Sequence, residues 1–435
     1  MCLNAKNVRN VTYLELFRGN RDFRHLFIAN WVSNLGDWFS VIALFILSGE
    51  QSNNSPLAIA AVIIFRMLGM ALVEPFTGLL ADKFSRKKLM ILSNILSLLI
   101  LLVFVFFELL NSLLMVYIMA FAIMLSRAIY DPARYAYVPN ITTREELLTA
   151  NAVGSLGWSA ALGFGASLGG FAIASYGVET SLIIDALTFI ISIIILTTLP
   201  EGGPYPTKAE GKQKQKVLSG ILEGWKIILT RPEIFRIILA KGMWSVGGGA
   251  QIFLLILIGA EAGFGTVATG IGVLYMARGW GSGIGPAVAR WIFPERSKWP
   301  SVLPFMVMSS GLFYILLGLV SWNNNLIIVL IFISHATSGA NWVFSTTLIQ
   351  ERSSDEWRGR AAGADFMMMS LTSGLSALLA ALILEYKIFD LRETIILTAG
   401  MQLIAGLMWL IFALPREKKW ILNNQLESVS TNNSG

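Results

Sequence analysis

The sequence predicts an all-α integral membrane protein, with twelve transmembrane helices in two six-helix pseudo-repeats. Three observations carry that fold class. Hydrophobic residues make up 55% of the 435 residues and charged ones 14%, giving a mean hydropathy of +0.65. A soluble domain needs more polar surface than that. Apolar runs of the roughly 20 residues that a bilayer crossing requires recur along the whole chain. Lysine and arginine collect in alternate gaps between those runs, as they do in cytoplasmic loops.

Residues 1–24 hold Lys6, Arg9, Arg18, Arg21 and Arg24 and no small-residue cleavage site, so they read as a cytoplasmic tail and not a cleaved signal. The first bundle, 25–199, has spans near 25–48, 57–81, 89–108, 113–136, 149–174 and 180–199. A polar linker follows at 200–233, where Pro200, Gly202, Gly203, Pro204 and Pro206 exclude helix. Within it, Val217 to Leu229 reads as a short amphipathic helix along the inner leaflet, ended by Arg231-Pro232. The second bundle, 234–414, has spans near 234–259, 266–289, 301–320, 326–348, 361–384 and 394–414, and 415–435 is a second cytoplasmic tail. Each span must satisfy its own backbone hydrogen bonds, so each is helical.

With the N-terminus inside, the outer loops hold only Lys387 and Arg392. The inner loops hold the Lys83–Lys88 cluster, Arg144, the linker lysines, Arg290, Arg296, Lys298, Arg352, Arg358 and Arg360. Both termini are therefore predicted inside.

Composition also limits function. The net charge of +6 lies in these loops and points to no nucleic acid. Cys2 is the one cysteine, and His25 and His335 are the two histidines, which leaves no disulfide and no plausible metal set. No cofactor is expected beyond a proton gradient as energy source, and no phosphate loop or nucleophile motif suggests an enzyme. The expected partners are a small-molecule substrate, protons and the lipid bilayer, with the chain a monomer.

A weak internal echo supports two equivalent halves. Arg66-Met67-Leu68-Gly69 precedes Pro75 in the second span, and Arg278-Gly279-Trp280-Gly281 precedes Pro286 in the eighth. Repeated halves around a central site are a transporter architecture.

The loop after the second span, Gly78-Leu79-Leu80-Ala81-Asp82-Lys83-Phe84-Ser85-Arg86-Lys87-Lys88, resembles the signature loop of the major facilitator superfamily, with Ser85 replacing its second glycine. Asp131-Pro132-Ala133-Arg134, Pro139, Arg144-Glu145-Glu146-Leu147, Ala150-Asn151-Ala152 and Arg358-Gly359-Arg360 are similar to its enterobactin exporter and macrolide efflux branch. The antiporter motif of the fifth span is altered to Gly165-Ala166-Ser167-Leu168-Gly169-Gly170, with alanine in place of proline. The resemblance implies a twelve-helix fold and alternating access. It also implies a cytoplasmic gate of Gly78, Asp82, Arg86, Lys87, Asp131 and Arg134, with Asp82 capping the eleventh span and Arg86 reaching a carboxylate of the fourth, Asp131.

A charge in hydrocarbon costs about 2.5–3.5 kcal/mol on insertion scales, so ionisable residues within spans are functional candidates. Asn30, Asn34 and Asp37 share one helical face. Asp37 either binds a proton or cationic substrate, or makes a structural hydrogen bond. Glu74 is a second proton-coupling candidate, because removal from water favours a neutral carboxyl; the alternative is a buried pair with Arg66 or Arg127. Arg127 shares a face with Asp131 and Arg134 and is the deeper of the three. Arg278 is a candidate acceptor of an anionic group. Asp185 is expected near the outer surface in solvent, and His335 as a buried hydrogen-bonding residue.

The expected function is proton-driven efflux of an amphiphilic small molecule, drug- or macrolide-like or a siderophore, in a bacterial cytoplasmic membrane. An uptake carrier or lipid flippase of the same fold remains an alternative, as do a polytopic membrane enzyme and a non-transporting receptor.

Overall fold

The computed structural model describes residues 11–201, 226, 229–353 and 358–433; the side chains of 71–83, 144, 148, 358–360, 362 and 424–433 lie outside that description. Among the described residues the regular elements are helices, with no strand. After a short α1 (Tyr13–Gly19) come α2 (Arg21–Gln51), α3 (Pro56–Lys83), α4 (Arg86–Phe106), α5 (Leu113–Ile141) and α6 (Arg144–Thr197). The chain continues with α7 (Pro232–Glu261), α8 (Val267–Ile292), α9 (Trp299–Leu319), α10 (Asn324–Arg352), α11 (Arg358–Glu385), α12 (Leu391–Met408) and α13 (Leu414–Asn433).

Nine helices among the described residues are long and apolar enough to cross a membrane. The difference from twelve has identifiable causes. The expected spans at 149–174 and 180–199 are both in α6, which turns at Gly177 with φ 83° and ψ 171°, a conformation open to glycine because it has no Cβ. Of α3, only Pro56–Met70 has described side chains, and that stretch by itself is too short to span. Glycine-rich α8, with Arg278 and Arg290 inside it, is not among the nine. At the other end α12 passes through one wider π-helical turn, Trp409–Ala413, directly into α13. Residues 415–433 are thus helical. The linker helix expected at 217–229 lies almost wholly outside the described residues.

Helix starts follow local chemistry. Thr143 and Glu146 form a reciprocal capping box at α6, and Asp390 and Glu393 form one at α12. Ser85 caps α4, and Pro232 opens α7, where its missing N–H costs nothing.

The chain forms two compact units, Met1–Asn54 with Val62–Gln213, and Ser55–Ala61 with Lys214–Gly435. In the first, α2 packs along α6, and α4 against α5 and α6. The glycine motif of the fifth span makes this approach possible: a Cβ on Gly165 would lie 2.7 Å from the Leu35 carbonyl oxygen. In the second unit α7 packs on α11, α8 on α10, and α9 on α12. The internal echo has a structural counterpart in each unit. A Cβ on Gly69 of α3 would meet the Phe121 carbonyl oxygen of α5 at 2.8 Å, and one on Gly281 of α8 would meet the Phe332 carbonyl oxygen of α10 at 2.4 Å. Both glycines therefore mark a close helix crossing of the same kind.

Candidate functional site

Each unit holds a buried ion pair within its helices. In the first, Arg127 of α5 points at α2. Its Nε lies 3.2 Å from Asp37 Oδ2, its Nη1 donates to Ser33 Oγ at 2.9 Å, and its Nη2 donates to Asn34 Oδ1. Ser33, Asn34 and Asp37 are within one turn of α2, so one guanidinium fork can engage all three. Arg127 also lies 5.1 Å from the Tyr130 ring centroid. The other oxygen, Asp37 Oδ1, is buried and has no hydrogen-bond partner among the described residues, as is Asn30 Oδ1 two turns earlier. Arg66 of α3 also acts electrostatically on Asp37.

Asp185 is not at a solvated surface as expected; it is fully buried. Ser40 donates to its Oδ2, and Thr188 Oγ1 lies 3.3 Å from its Oδ1. The turn at Gly177 runs the second part of α6 back along α2, and Gly36 leaves room for it. A Cβ on Gly36 would lie 2.6 Å from Asp185 Oδ1.

The second unit's pair was not anticipated from the sequence. Lys241 of α7 binds Asp365 Oδ2 of α11, with side-chain exposures of 2% and 5%. Lys241 Nζ also donates to Thr346 Oγ1 at 2.8 Å and sits 4.5 Å from the Trp342 ring centroid. Trp342 and Phe366 meet edge to face at 5.7 Å. Asp365 Oδ1 has no hydrogen-bond partner among the described residues. The signal was available: Lys241 and Asp365 are ionisable residues inside apolar runs, the same criterion that selected Asp37.

Elsewhere in this unit Arg278 of α8 lies 5.4 Å from the Tyr275 ring centroid. Nearby, Tyr314 Oη and His335 Nε2 are 3.0 Å apart, and His335 is buried. Glu417 of α13 is fully buried between Arg236, at 2.8 Å, and Arg352, so the C-terminal helix is anchored by charge.

The predicted gate residues divide. Gly78 and the Asp82 side chain lie outside that description, as does the side chain of the proton-coupling candidate Glu74. Arg86 reaches the fourth span's helix, but its Nη1 donates to the Ala136 carbonyl and to Asn140 Oδ1, both at 2.8 Å. Asp131 is more than one turn earlier and pairs with Arg134 at 3.5 Å. The expected Arg86–Asp131 contact is corrected accordingly: Arg86, starting α4, meets α5 near its C-terminal end, more than one turn beyond Asp131. Lys87 Nζ donates to the Thr197 and Leu199 carbonyls at 2.9 and 2.6 Å, capping the end of α6.

Among the described residues no cluster of histidine, cysteine, aspartate or glutamate could hold a metal. The chemistry on offer is charge and proton handling: two carboxylates, Asp37 and Asp365, each with one oxygen on a cation and the other without a hydrogen-bond partner among the described residues.

The fold is shared with solved transporters at low identity. The nucleoside transporter NupG is 15% identical with a TM-score of 0.68, covering 89% of this chain and 98% of its own. A POT family transporter in complex with 5-aminolevulinic acid is 11% identical with a TM-score of 0.73, covering 94% and 99%. A bacterial homologue of the human lysosomal transporter Spinster is 13% identical with a TM-score of 0.65, covering 90% and 97%. The uncharacterized MFS-type transporter YfiS of Bacillus subtilis (strain 168) is 27% identical over 217 residues, 50% of this chain and 51% of that protein. The chain thus spans about half the length of that curated relative. Residues 26–320 match the Major Facilitator Superfamily as a family. On that match, over more than half its length, the chain belongs to the Major Facilitator Superfamily, a family of transporters and not of enzymes.

Proposed function

We propose that this chain exports an amphiphilic small molecule in exchange for protons, by alternating access across a bacterial cytoplasmic membrane. Drug- or macrolide-like compounds and siderophores are the cargo classes. The proposal includes twelve spans, both termini inside, a single-chain carrier, and the loop Gly78–Lys88 as a gate at the inner face.

The observation that supports proton coupling is the Oδ1 of Asp37, which has no hydrogen-bond partner among the described residues, beside an Oδ2 held by Arg127. A proton added at Oδ1 would neutralise the carboxylate. The attraction it removes is on the order of 4 kcal/mol for charges about 4 Å apart at an effective dielectric near 20. Arg127 stays charged throughout, because guanidinium does not give up its proton. It would keep Ser33 and Asn34 while losing its anion, which shifts the balance of forces between α2 and α5.

Inside-out membrane vesicles energised by respiration and loaded with a pH-sensing acridine dye test this. Antibiotics, dyes and siderophores that accumulate in a deletion strain are added singly. A cargo should release protons from vesicles containing the protein and release none from vesicles with Asp37→Asn. A compound that moves without proton movement overturns the coupling. Proton movement in the same direction as the compound would favour uptake.

A further inference from the structure

The first unit places a carboxylate within the field of its span-two arginine, and the second does not. Arg66 and Arg278 hold equivalent places in the echo, each three residues before a glycine packed on a carbonyl of the neighbouring helix. Arg66 acts on Asp37. Arg278 interacts electrostatically with Tyr275, Tyr314 and His335. In α7, the helix corresponding to α2, the only acids are Glu233 and Glu261 at its two ends. Asp365 is occupied by Lys241. No carboxylate pairs with Arg278 among the described residues.

This arginine cannot escape to water along its helix. It stands 11 residues from the start of α8 at Val267 and 14 from its end at Ile292, or about 16 and 21 Å at 1.5 Å per residue. That exceeds what snorkelling can cover. Its side chain is half-buried, so part of it remains open to a ligand. Tyr275 and Tyr314 are held in place around it, the first by donating to the Ile252 carbonyl at 2.9 Å and the second through His335. A permanent cation backed by fixed, buried aromatic rings, with no acid paired to it among the described residues, is complementary to an anionic group.

We propose that Arg278 is the docking point for an oxyanion of the cargo, a carboxylate or phosphate-type group, with the buried Tyr275 and Tyr314 behind it holding the guanidinium in place. This rests on the reading of the chain as a carrier of amphiphilic small molecules and narrows that class to anionic ones. It needs no proton gradient.

Thermal unfolding of the full chain in an uncharged detergent tests it, with fusidate, cholate and carboxyfluorescein each compared with its methyl ester. Rhodamine 6G serves as a cationic control. Acids should raise the unfolding temperature more than their esters or the cation. Arg278→Gln should bind the acids at least about tenfold more weakly, the loss expected for a charge-assisted hydrogen bond, and Arg278→Lys should retain part of the shift. Unliganded Arg278→Gln should unfold no lower than the parent, because it loses an uncompensated charge. An unchanged acid shift in Arg278→Gln, esters as good as acids, or a destabilised unliganded variant overturns the proposal. If chloride or inorganic phosphate alone reproduces the shift, Arg278 holds a resident counter-ion and the cargo assignment falls. Acid binding without proton-driven flux would overturn the export reading and leave this site standing. Proton-driven flux of cations indifferent to Arg278 would do the reverse.

Discussion

The buried pair of the first unit is built around a guanidinium, and that of the second around an ammonium. Arg127 spreads its charge over Asp37, Ser33 and Asn34, all on α2. Lys241 concentrates its charge on Asp365 and Thr346 and rests on the Trp342 ring. Arginine stays protonated under all conditions relevant to a cell, whereas a buried lysine can shed its proton. Only the acid can therefore change state in the first pair, while either member can in the second. The same bond type can serve as a one-sided switch in one unit and as a mutual lock in the other.

The largest effect should come from breaking the second pair. Lys241→Met leaves Asp365 buried without its cation and should cost about 3–5 kcal/mol, measured by unfolding of the purified protein. Lys241→Met combined with Asp365→Leu should recover most of that loss. A neutral single variant would show that the pair does not lock α7 to α11.

The glycines beside the two pairs sharpen the comparison at a smaller scale. Gly36→Ala puts a carbon 1.9 Å from Thr188 Oγ1 and 2.6 Å from Asp185 Oδ1, and should cost about 1–3 kcal/mol through overpacking. Gly242→Ala meets the flexible end of Met368 at 2.7 Å. It should be neutral, or stabilise by up to about 1 kcal/mol through helix propensity. Equal losses at the two sites would contradict the tighter packing assigned to the α2–α6 contact. The smallest effect belongs to Trp342→Phe, which keeps an aromatic face for Lys241 and should cost about 0.5–1 kcal/mol.

Much of this was legible because insertion into hydrocarbon filters the sequence so strongly. Asp37 and Arg127 stood out as charges in apolar runs, and the structure joins them. Lys241 and Asp365 satisfied the same criterion, yet they lie 124 positions apart, so nothing local indicated that they meet. The place of Asp185 in the sequence, shortly after a loop, suggests solvent, whereas the turn at Gly177 brings α6 back along α2 and presses that residue against Ser40. Arg86 shows a related limit. Charge and position set its reach, but its partners are a carbonyl and Asn140, and a carbonyl is not encoded by residue type. The echo around Arg66 and Arg278 was visible as spacing; its meaning as a helix crossing needed the carbonyls that Gly69 and Gly281 face.

The central claim, that Asp37 couples protons to cargo, is tested most directly in proteoliposomes with a cargo identified by proton release. Two fluxes are measured for the parent and for Asp37→Asn: exchange at equal pH, and accumulation driven by an imposed pH gradient. Asparagine can still accept a hydrogen bond from Arg127 but cannot carry a proton. The variant should therefore retain exchange and lose accumulation. Accumulation at the parent's level in Asp37→Asn would contradict the account.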